Sequence, residues 1–176
     1  MDYKIFQLLH QFAGRLAILD LLAVFLAQYL PYFLLLFFIL LLFGKLRYGT
    51  DKWLKRLHCI FLAVLALLIS RGLIVSALRF FWPRPRPFVV LNFQPLVDHP
   101  VTAAFPSAHA VIYFVLATIA YFIDRRWGIY FFIAAALNAL ARVFVGVHWP
   151  SDVVAGALLG IVVVLVLRRL LPKPTP

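Results

Sequence analysis

The chain has 176 residues, of which 65% are hydrophobic and only 13% are charged. A soluble domain carries about 25% charged residues, so this composition argues against a soluble enzyme and indicates one integral membrane domain. The net charge of +11 would suggest a nucleic-acid-binding protein if the chain were soluble. Here most basic residues stand at the ends of apolar segments, where they follow the positive-inside bias or meet anionic headgroups, so we expect no nucleic-acid partner.

The chain begins with an amphipathic segment over residues 1–15, whose apolar residues recur on one helical face. This pattern predicts a helix that lies in the membrane interface. A long apolar run follows over residues 16–43. It is too long for one straight span of about 20 residues and too short for two. We therefore expect a short or re-entrant helix near 16–28 and a spanning helix near 30–44.

Four further apolar segments have the length that a bilayer requires, namely 54–77, 108–123, 128–147 and 152–168. The predicted fold is therefore an all-α, polytopic membrane helical bundle of about six segments in a single domain. The proline-containing residues 172–176 predict a disordered tail.

The connecting segments predict the topology. Five basic residues lie in 45–56, residues 124–126 read Asp-Arg-Arg, and the C-terminal tail is basic. If each intervening pair of spans forms a hairpin, these segments share one side, which the positive-inside bias makes cytoplasmic. Residues 78–107 and 148–151 then lie on the extracytoplasmic face of the cell membrane. These two segments carry the chemically informative residues.

The pattern Arg142-x5-His148-x3-Asp152 predicts an oriented imidazole. Asp152 follows His148 by one helical turn if a helix has begun there. A carboxylate at that position accepts the Nδ1–H, fixes the tautomer and leaves Nε2 free to attack phosphorus. A capping aspartate beside an interfacial histidine is the alternative interpretation.

The pattern Pro106-Ser107-Ala108-His109 is typical of a helix start, with Ser107 near the cap position. A helix N-terminus offers free N–H groups and a favourable dipole to an anion. His109 in the first turn would be able to pass a proton to a departing oxygen. An ordinary serine cap beside an interfacial histidine is again the alternative.

Basic residues are also concentrated on the predicted outer side, against the general trend. Arg79, Arg84 and Arg86 lie within eight residues, and a polyanionic ligand would account for them. For Arg84 we expect headgroup binding by an interfacial loop.

Arg71 lies inside a predicted span, where a charge is costly. It either extends an anion pocket inward or pairs with Asp20.

Together the three segments supply fixed cations, a nucleophile and a proton-transfer group, which is what the cleavage of a phosphate ester requires. They resemble the type 2 phosphatidic acid phosphatase superfamily, whose pattern is Lys-x6-Arg-Pro, Pro-Ser-Gly-His and Ser-Arg-x5-His-x3-Asp. Here Arg79 stands in place of the lysine, Ala108 in place of the glycine and Ala141 in place of the serine. None of these departures removes a group that does chemistry. The N-terminal segment looks like that of bacterial undecaprenyl-diphosphatases of the bacitracin-resistance type.

The resemblance implies a role for each motif residue. His148 would attack the terminal phosphorus and form a phosphohistidine, with Asp152 orienting it. His109 would protonate the leaving group and then activate water. The phosphoryl oxygens would be held by the remaining motif residues: Arg79, Arg86, Ser107, the Ala108 N–H and Arg142. The resemblance implies no metal or other cofactor.

The sequence therefore predicts a membrane lipid phosphatase that hydrolyses undecaprenyl diphosphate to undecaprenyl phosphate. Three alternatives stay open. One is a phosphatase of phosphatidic acid or phosphatidylglycerophosphate, another is a lipid phosphotransferase, and the third is a transporter that binds phosphorylated lipid without cleaving it. The expected partners are an isoprenoid or glycerolipid phosphate substrate and the membrane lipids.

A possible metal site and one loop pair also follow from the sequence. Two histidines and one aspartate would suffice for a three-ligand zinc centre, but three neighbouring arginines would repel a cation, and the chain contains no glutamate to support one. We therefore expect no metal.

Asp98 and His99 lie between the first two motifs, and we expect them to form a solvated loop pair.

Overall fold

A computed structural model describes residues 2–45 and 50–171, and every regular element in these ranges is helical. The helices are α1 (Asp2–His10), α2 (Ala17–Val24), α3 (Leu30–Lys45), α4 (Thr50–Leu67), α5 (Val75–Phe81), α6 (Pro87–Val90), α7 (Ala108–Ile123), α8 (Arg125–Phe144) and α9 (Pro150–Leu170). A first π segment (Phe25–Tyr29) joins α2 to α3, and a second π segment (Leu68–Ile74) joins α4 to α5.

Four helical stretches of the described chain are long and apolar enough to cross a membrane, namely Ala17–Gly44, Trp53–Phe81, Arg125–Phe144 and Pro150–Leu170. The apolar helix α7 is shorter, at 16 residues. These five apolar stretches and the N-terminal helix α1 form the bundle. The prediction of an all-α, polytopic membrane helical bundle is confirmed. The predicted tail, 172–176, lies outside the described residues.

The helix boundary expected between residues 28 and 30 is wrong, because Ala17–Gly44 is one continuous helix. The break was expected from the length of the apolar run. Pro31, inside this run, also has no N–H, and its ring clashes with the preceding turn of a regular α-helix. The first π segment widens that turn immediately before the proline, which allows the helix to continue.

A side chain from another helix donates hydrogen bonds to the backbone carbonyls that lack donors near this proline. In the π turn, the residue before Pro31 donates its N–H to Phe25 O. The carbonyls of Leu26 and Ala27 therefore lose their usual helical donors. Asn138 of α8 replaces them, with its Nδ2 at 2.7 Å from Leu26 O and 3.4 Å from Ala27 O. This arrangement explains a fully buried asparagine in an apolar helix, where every backbone polar group needs a partner.

The central helix α7 packs against α8 and α9, and also contacts α3 and α4. Two glycines of α9 allow its backbone to approach α7 closely. A Cβ on Gly156 would lie 2.6 Å from Ser107 O, and a Cβ on Gly160 would lie 2.6 Å from Val111 O. Small residues permit this kind of contact between membrane helices. As a result, the Ser107 N–H donates to Asp152 O at 2.9 Å, which joins the N-termini of α7 and α9.

The connections 82–107 and 145–149 meet at the same end of the bundle as the N-termini of α7 and α9. The N-terminal helix α1 also packs at this end, against α8 and α9. Its Phe6 is fully buried, with its ring 5.2 Å from that of Trp149. This end of the bundle therefore contains all three sequence motifs.

Candidate active site

The central feature of the site is the pair formed by His148 and Asp152. His148 lies in the turn between α8 and α9, and both side chains are buried. The Nδ1 atom of His148 is 3.4 Å from Asp152 Oδ2, and its Nε2 is 3.3 Å from Nη1 of Arg86. A guanidinium only donates hydrogen bonds, so these partners assign the proton to Nδ1 and the lone pair to Nε2. This tautomer has the free nitrogen that a nucleophile needs.

Asp152 also caps its own helix. Its Oδ2 accepts the Trp149 N–H at 2.9 Å, and Pro150 occupies the first turn. The two interpretations of this aspartate are therefore compatible, because one carboxylate oxygen both caps α9 and faces the imidazole.

The electrostatic surroundings of His148 favour its neutral form. Burial, followed by the positive charges of Arg142 and Arg86, lowers the pKa of His148 well below its usual range. The imidazole is therefore uncharged at neutral pH, as nucleophilic attack requires.

Arg86 connects the loop before α7 to the turn that carries His148. Its side chain is buried, with Nε donating to Thr102 O at 2.9 Å and Nη1 donating to Val147 O at 2.8 Å. Burial and the charge of Arg79 lower the pKa of Arg86 to about 10, which leaves it charged at neutral pH. The hydrogen bonds to backbone carbonyls hold this guanidinium beside Nε2 of His148.

Two other arginines have N–H groups to offer. Arg142 is only 4% exposed, and within the described chain its Nε and Nη2 have no hydrogen-bond partner. Arg79 donates from Nη2 to Pro106 O at 3.1 Å, while its buried Nε is unpaired among the described residues. Buried donors without partners are uncommon in proteins, and an oxyanion is a suitable ligand for them.

The N-terminus of α7 lies between these arginines and His148. Ser107 caps the helix, its Oγ accepting the Ala110 N–H at 3.5 Å. Ala108 and His109 occupy the first turn, where backbone N–H groups have no intrahelical acceptor. The structure thus brings all eight predicted site residues to one end of the bundle: Arg79, Arg86, Ser107, Ala108, His109, Arg142, His148 and Asp152.

The expectation for Arg84 is wrong. Instead of projecting towards headgroups, Arg84 donates from Nη1 to Asp152 Oδ1 at 2.7 Å and to Ser151 Oγ at 2.6 Å. It also forms an ion pair through Nη2 with Asp2, and its guanidinium lies 5.4 Å from the ring centre of Trp149. Arg84 therefore contacts the carboxylate that faces His148.

Asp2 is a site residue that the sequence analysis missed. Its Oδ1 accepts the Ser151 N–H at 2.9 Å, and its Oδ2 accepts the Ser151 hydroxyl at 2.6 Å as well as the Arg84 guanidinium. Burial raises the pKa of Asp2, but the hydrogen bonds from Ser151 and Arg84 outweigh it, and the pKa falls below its usual value. No sequence signal links Asp2 to residues 149 positions away.

The predicted solvated pair is correct for Asp98, which is exposed, and wrong for His99. The His99 ring is half-buried, with its centre 6.3 Å from that of the His148 ring. Burial is the main cause that lowers the pKa of His99 to about 4, and the nearby charge of Arg86 adds to it. His99 therefore presents a neutral ring to the site.

Of the two interpretations of Arg71, the structure contradicts the pairing with Asp20, and extension of the anion pocket stays a prediction. Asp20 accepts the Gly14 N–H, at 3.0 and 3.1 Å from its two oxygens, and no ion pair with Arg71 occurs among the described residues. Arg71 lies in the second π segment.

A cavity of about 420 Å³ adjoins His109. It is lined by Ala27, Gln28, Tyr29, Pro31, Tyr32, His109, Tyr113 and Arg142. The site thus has two regions, which are the arginine-lined space at His148 and this polar cavity on the far side of His109. Within the described ranges, no group of three or more histidine, cysteine, aspartate or glutamate residues is placed to hold a metal ion.

Comparison with known proteins was made on both sequence and structure. A family profile described as the PAP2 superfamily matches residues 60–176. Over 98% of its length the chain is 28% identical to a Bacillus licheniformis protein named bacitracin transport permease protein BcrC, of which the match covers 82%. Over 93% of its length it is 27% identical to undecaprenyl-diphosphatase BcrC of Bacillus subtilis, of which the match covers 80%.

A solved structure has a similar fold. The crystal structure of Aquifex aeolicus LpxE superposes on this chain with a TM-score of 0.74 at 25% sequence identity. The superposition covers 96% of this chain and 94% of the other, so the similarity extends over the whole bundle and includes α1.

Proposed function

Because this chain belongs to the PAP2 superfamily, we propose that it hydrolyses undecaprenyl diphosphate to undecaprenyl phosphate and inorganic phosphate. Membership makes it a multi-pass membrane phosphatase, as the sequence motifs predicted. One observation carries the proposal on the reaction: the buried imidazole of His148 has a carboxylate at Nδ1 and the guanidinium group of Arg86 at Nε2. Similarity to an undecaprenyl-diphosphatase over nearly the whole chain supports the proposed substrate.

In the first step, Nε2 of His148 attacks the terminal phosphorus. The N–P bond forms as the bond between that phosphorus and the bridging oxygen breaks, and the bridging oxygen leaves with the lipid phosphate. His109 donates a proton to this oxygen. Asp152 stabilises the positive charge that develops on the imidazole.

The charge of the phosphoryl group is balanced by fixed donors. Arg79 and Arg142 have unpaired N–H groups to offer, and the Ser107 hydroxyl and the Ala108 N–H lie at the positive end of α7. Arg86 contributes its charge and holds His148 in place. Removal of one donor of this kind commonly lowers the rate by about 100- to 1000-fold.

In the second step, water attacks the phosphohistidine. His109, now deprotonated, accepts the proton of the water, and the N–P bond breaks to release inorganic phosphate. His148 returns to its neutral form with its Nδ1 proton still directed to Asp152. The same two histidines therefore serve both halves of the reaction.

A transporter of phosphorylated lipids is the alternative of a different class, and the Bacillus licheniformis relative is named a transport permease protein. Such a protein would use the arginines but would have no use for an imidazole oriented by a carboxylate. The variant His148→Ala separates the two hypotheses. A transporter would retain substantial function, whereas the proposed phosphatase would lose nearly all of it.

Substrate choice is tested by incubating the purified protein with four lipids under the same conditions: undecaprenyl diphosphate, undecaprenyl phosphate, phosphatidic acid and phosphatidylglycerophosphate. Release of phosphate is then measured. We expect the highest kcat/KM with undecaprenyl diphosphate. No detectable release from it, with clear release from a glycerolipid, would establish the glycerolipid alternative. Transfer of phosphate to added lipid acceptors in preference to water would instead indicate a phosphotransferase.

We further propose that the site faces the extracytoplasmic side of the cell membrane, since the basic connections lie at the opposite ends of the spans. Val101 is 75% exposed in the loop before α7 and offers a labelling position. In a Cys59→Ala background, Val101→Cys should react with a membrane-impermeant maleimide in intact cells. Labelling only after lysis would place the site on the cytoplasmic face.

A further inference from the structure

We propose that the cavity beside His109 is a subsite for the second phosphate of a lipid diphosphate, and that Gln28 and Tyr113 bind this phosphate. The inference rests on the proposed function, because it concerns the group that remains on the lipid after cleavage. It identifies residues outside the three motifs that select a diphosphate over a monophosphate.

The position of the cavity follows from the proposed roles of the histidines. His109 protonates the oxygen that departs with the lipid, so the group bonded to that oxygen must lie next to His109. His109 is itself part of the wall of the cavity, as is Arg142. A second phosphate in this cavity would therefore be adjacent to the phosphoryl group that His148 attacks.

Several polar side chains of this cavity have no hydrogen-bond partner among the described residues. Arg142 is 4% exposed with two unpaired N–H groups, and Tyr113 is 9% exposed. Within the described residues, neither Tyr113, His109 nor Gln28 makes a hydrogen bond through its side chain. Among these groups, Nε and Nη2 of Arg142 are buried, and burial of polar groups without hydrogen bonds is unfavourable. A ligand with several acceptor oxygens would satisfy them together.

The charge of the lining points to an anion. Arg142 supplies a buried positive charge, the Gln28 amide and the Tyr113 hydroxyl supply donors, and no residue that lines the cavity is acidic. Ester carbonyls of a glycerolipid would accept hydrogen bonds but would leave the guanidinium charge unbalanced. A phosphate balances the charge and accepts bonds from all three groups.

The first π segment accounts for the presence of Gln28 in this wall. A π turn contains an extra residue, which rotates the residues after it by about 100° relative to a regular α-helix. Asn138 holds the turn by donating to Leu26 O and Ala27 O. Arg142 lies one helical turn after Asn138, on the same face of α8. One face of α8 thus supplies both the anchor of the π turn and the cation of the cavity.

The test compares two substrates that differ by one phosphate. We would measure kcat/KM for farnesyl diphosphate and farnesyl phosphate with the purified wild type and with Gln28→Leu and Tyr113→Phe. For each variant we expect the ratio of diphosphate to monophosphate kcat/KM to fall by about tenfold or more, as is typical when a hydrogen bond to a charged group is lost. Tyr121→Phe on the same helix and Gln11→Leu, immediately after α1, are matched controls that should keep the wild-type ratio.

Each result bears on a distinct claim. An unchanged ratio in both variants, or an equal loss with both substrates, would overturn the subsite. If the wild type prefers phosphatidic acid to every isoprenoid substrate, the proposed function fails. The subsite is then tested by the same ratio with diacylglycerol diphosphate and phosphatidic acid. If Gln28→Leu does not fold, Tyr113→Phe decides, because it removes only one hydroxyl.

Discussion

Arg84 donates to Asp152 Oδ1 at 2.7 Å, while Oδ2 of the same carboxylate faces Nδ1 of His148. The carboxylate is therefore held on both sides, and Arg84 is tied in turn to Asp2 of α1. The orientation of the proposed nucleophile thus depends on a loop residue and on the N-terminal helix, in addition to the motif residues.

Arg84→Ala is expected to lower kcat by about 10- to 100-fold, because Asp152 loses a charge-assisted hydrogen bond and holds His148 less firmly. KM should change little, since Arg84 does not face the space at Nε2. Steady-state kinetics with the lipid diphosphate measure both constants. Arg84→Lys should recover part of kcat, and Arg126→Ala, at an exposed position on α8, serves as the control. A raised KM with unchanged kcat would show that Arg84 binds substrate.

Asp2 and Arg84 are expected to act as one unit. Asp2→Asn should reduce kcat by about 3- to 10-fold, because it removes the charge that faces Arg84 and weakens the bonds to Ser151. In an Arg84→Ala background the same change should have a clearly smaller effect, since residues in one network are not additive. The double-mutant cycle on kcat measures this coupling. Strictly additive effects would mean that Asp2 acts without Arg84.

The roles of Asp2 and Arg84 could not be predicted from the sequence. The His148–Asp152 pair was predictable because both residues lie within one turn of a single helix start, so local geometry determines their contact. The contacts of Arg84, and the position of His99 against His148, depend on the path of residues 91–107. The docking of α1 depends on buried contacts of Phe6. No local sequence pattern predicts the path of this loop or the docking of α1.

The continuous helix Ala17–Gly44 was not predictable for a related reason. Pro31 indicates a helix break when only local rules are applied. Near Pro31, backbone carbonyls lose their helical donors, which is unfavourable. Asn138 of α8 supplies the missing hydrogen bonds. In contrast, the all-helical membrane bundle and the clustering of the three motifs followed directly from apolar length and connectivity, and both agree with the structure.

The acid limb of the pH dependence of kcat/KM should lie well below pH 6.5, because this constant reports the pKa values of the free enzyme. Burial and neighbouring charges lower the pKa of His148, so its neutral, nucleophilic form persists well below pH 6.5 and is lost only at more acidic pH. Arg86 has a pKa of about 10, so its charge is lost as the pH rises through that value. Initial rates across this range test the profile. An acid limb at or above pH 6.5 would contradict the environment described for His148.

Gly156→Ala is expected to lower the free energy of unfolding by about 1–3 kcal/mol, because overpacking at a close contact forces the backbones apart. Its Cβ would meet Ser107 O at 2.6 Å, so α7 and α9 must separate at the site. Thermal unfolding in detergent gives the change in Tm. Gly44→Ala is the matched control, since a Cβ there has nothing within 4 Å, and it should leave Tm unchanged or slightly raised. Equal effects of the two substitutions would rule out the close contact.

The central claim is that His148 carries the phosphoryl group, and the most direct measurement is the identity of the phosphorylated residue during turnover. Wild-type protein would be mixed with lipid diphosphate, quenched in alkali to preserve a phosphohistidine, digested and examined by mass spectrometry. We predict phosphate on His148 in the wild type, and in His148→Ala no phosphoenzyme and a loss of hydrolysis of about 1000-fold or more. Phosphate on a different residue, or sustained hydrolysis by His148→Ala, would contradict the mechanism.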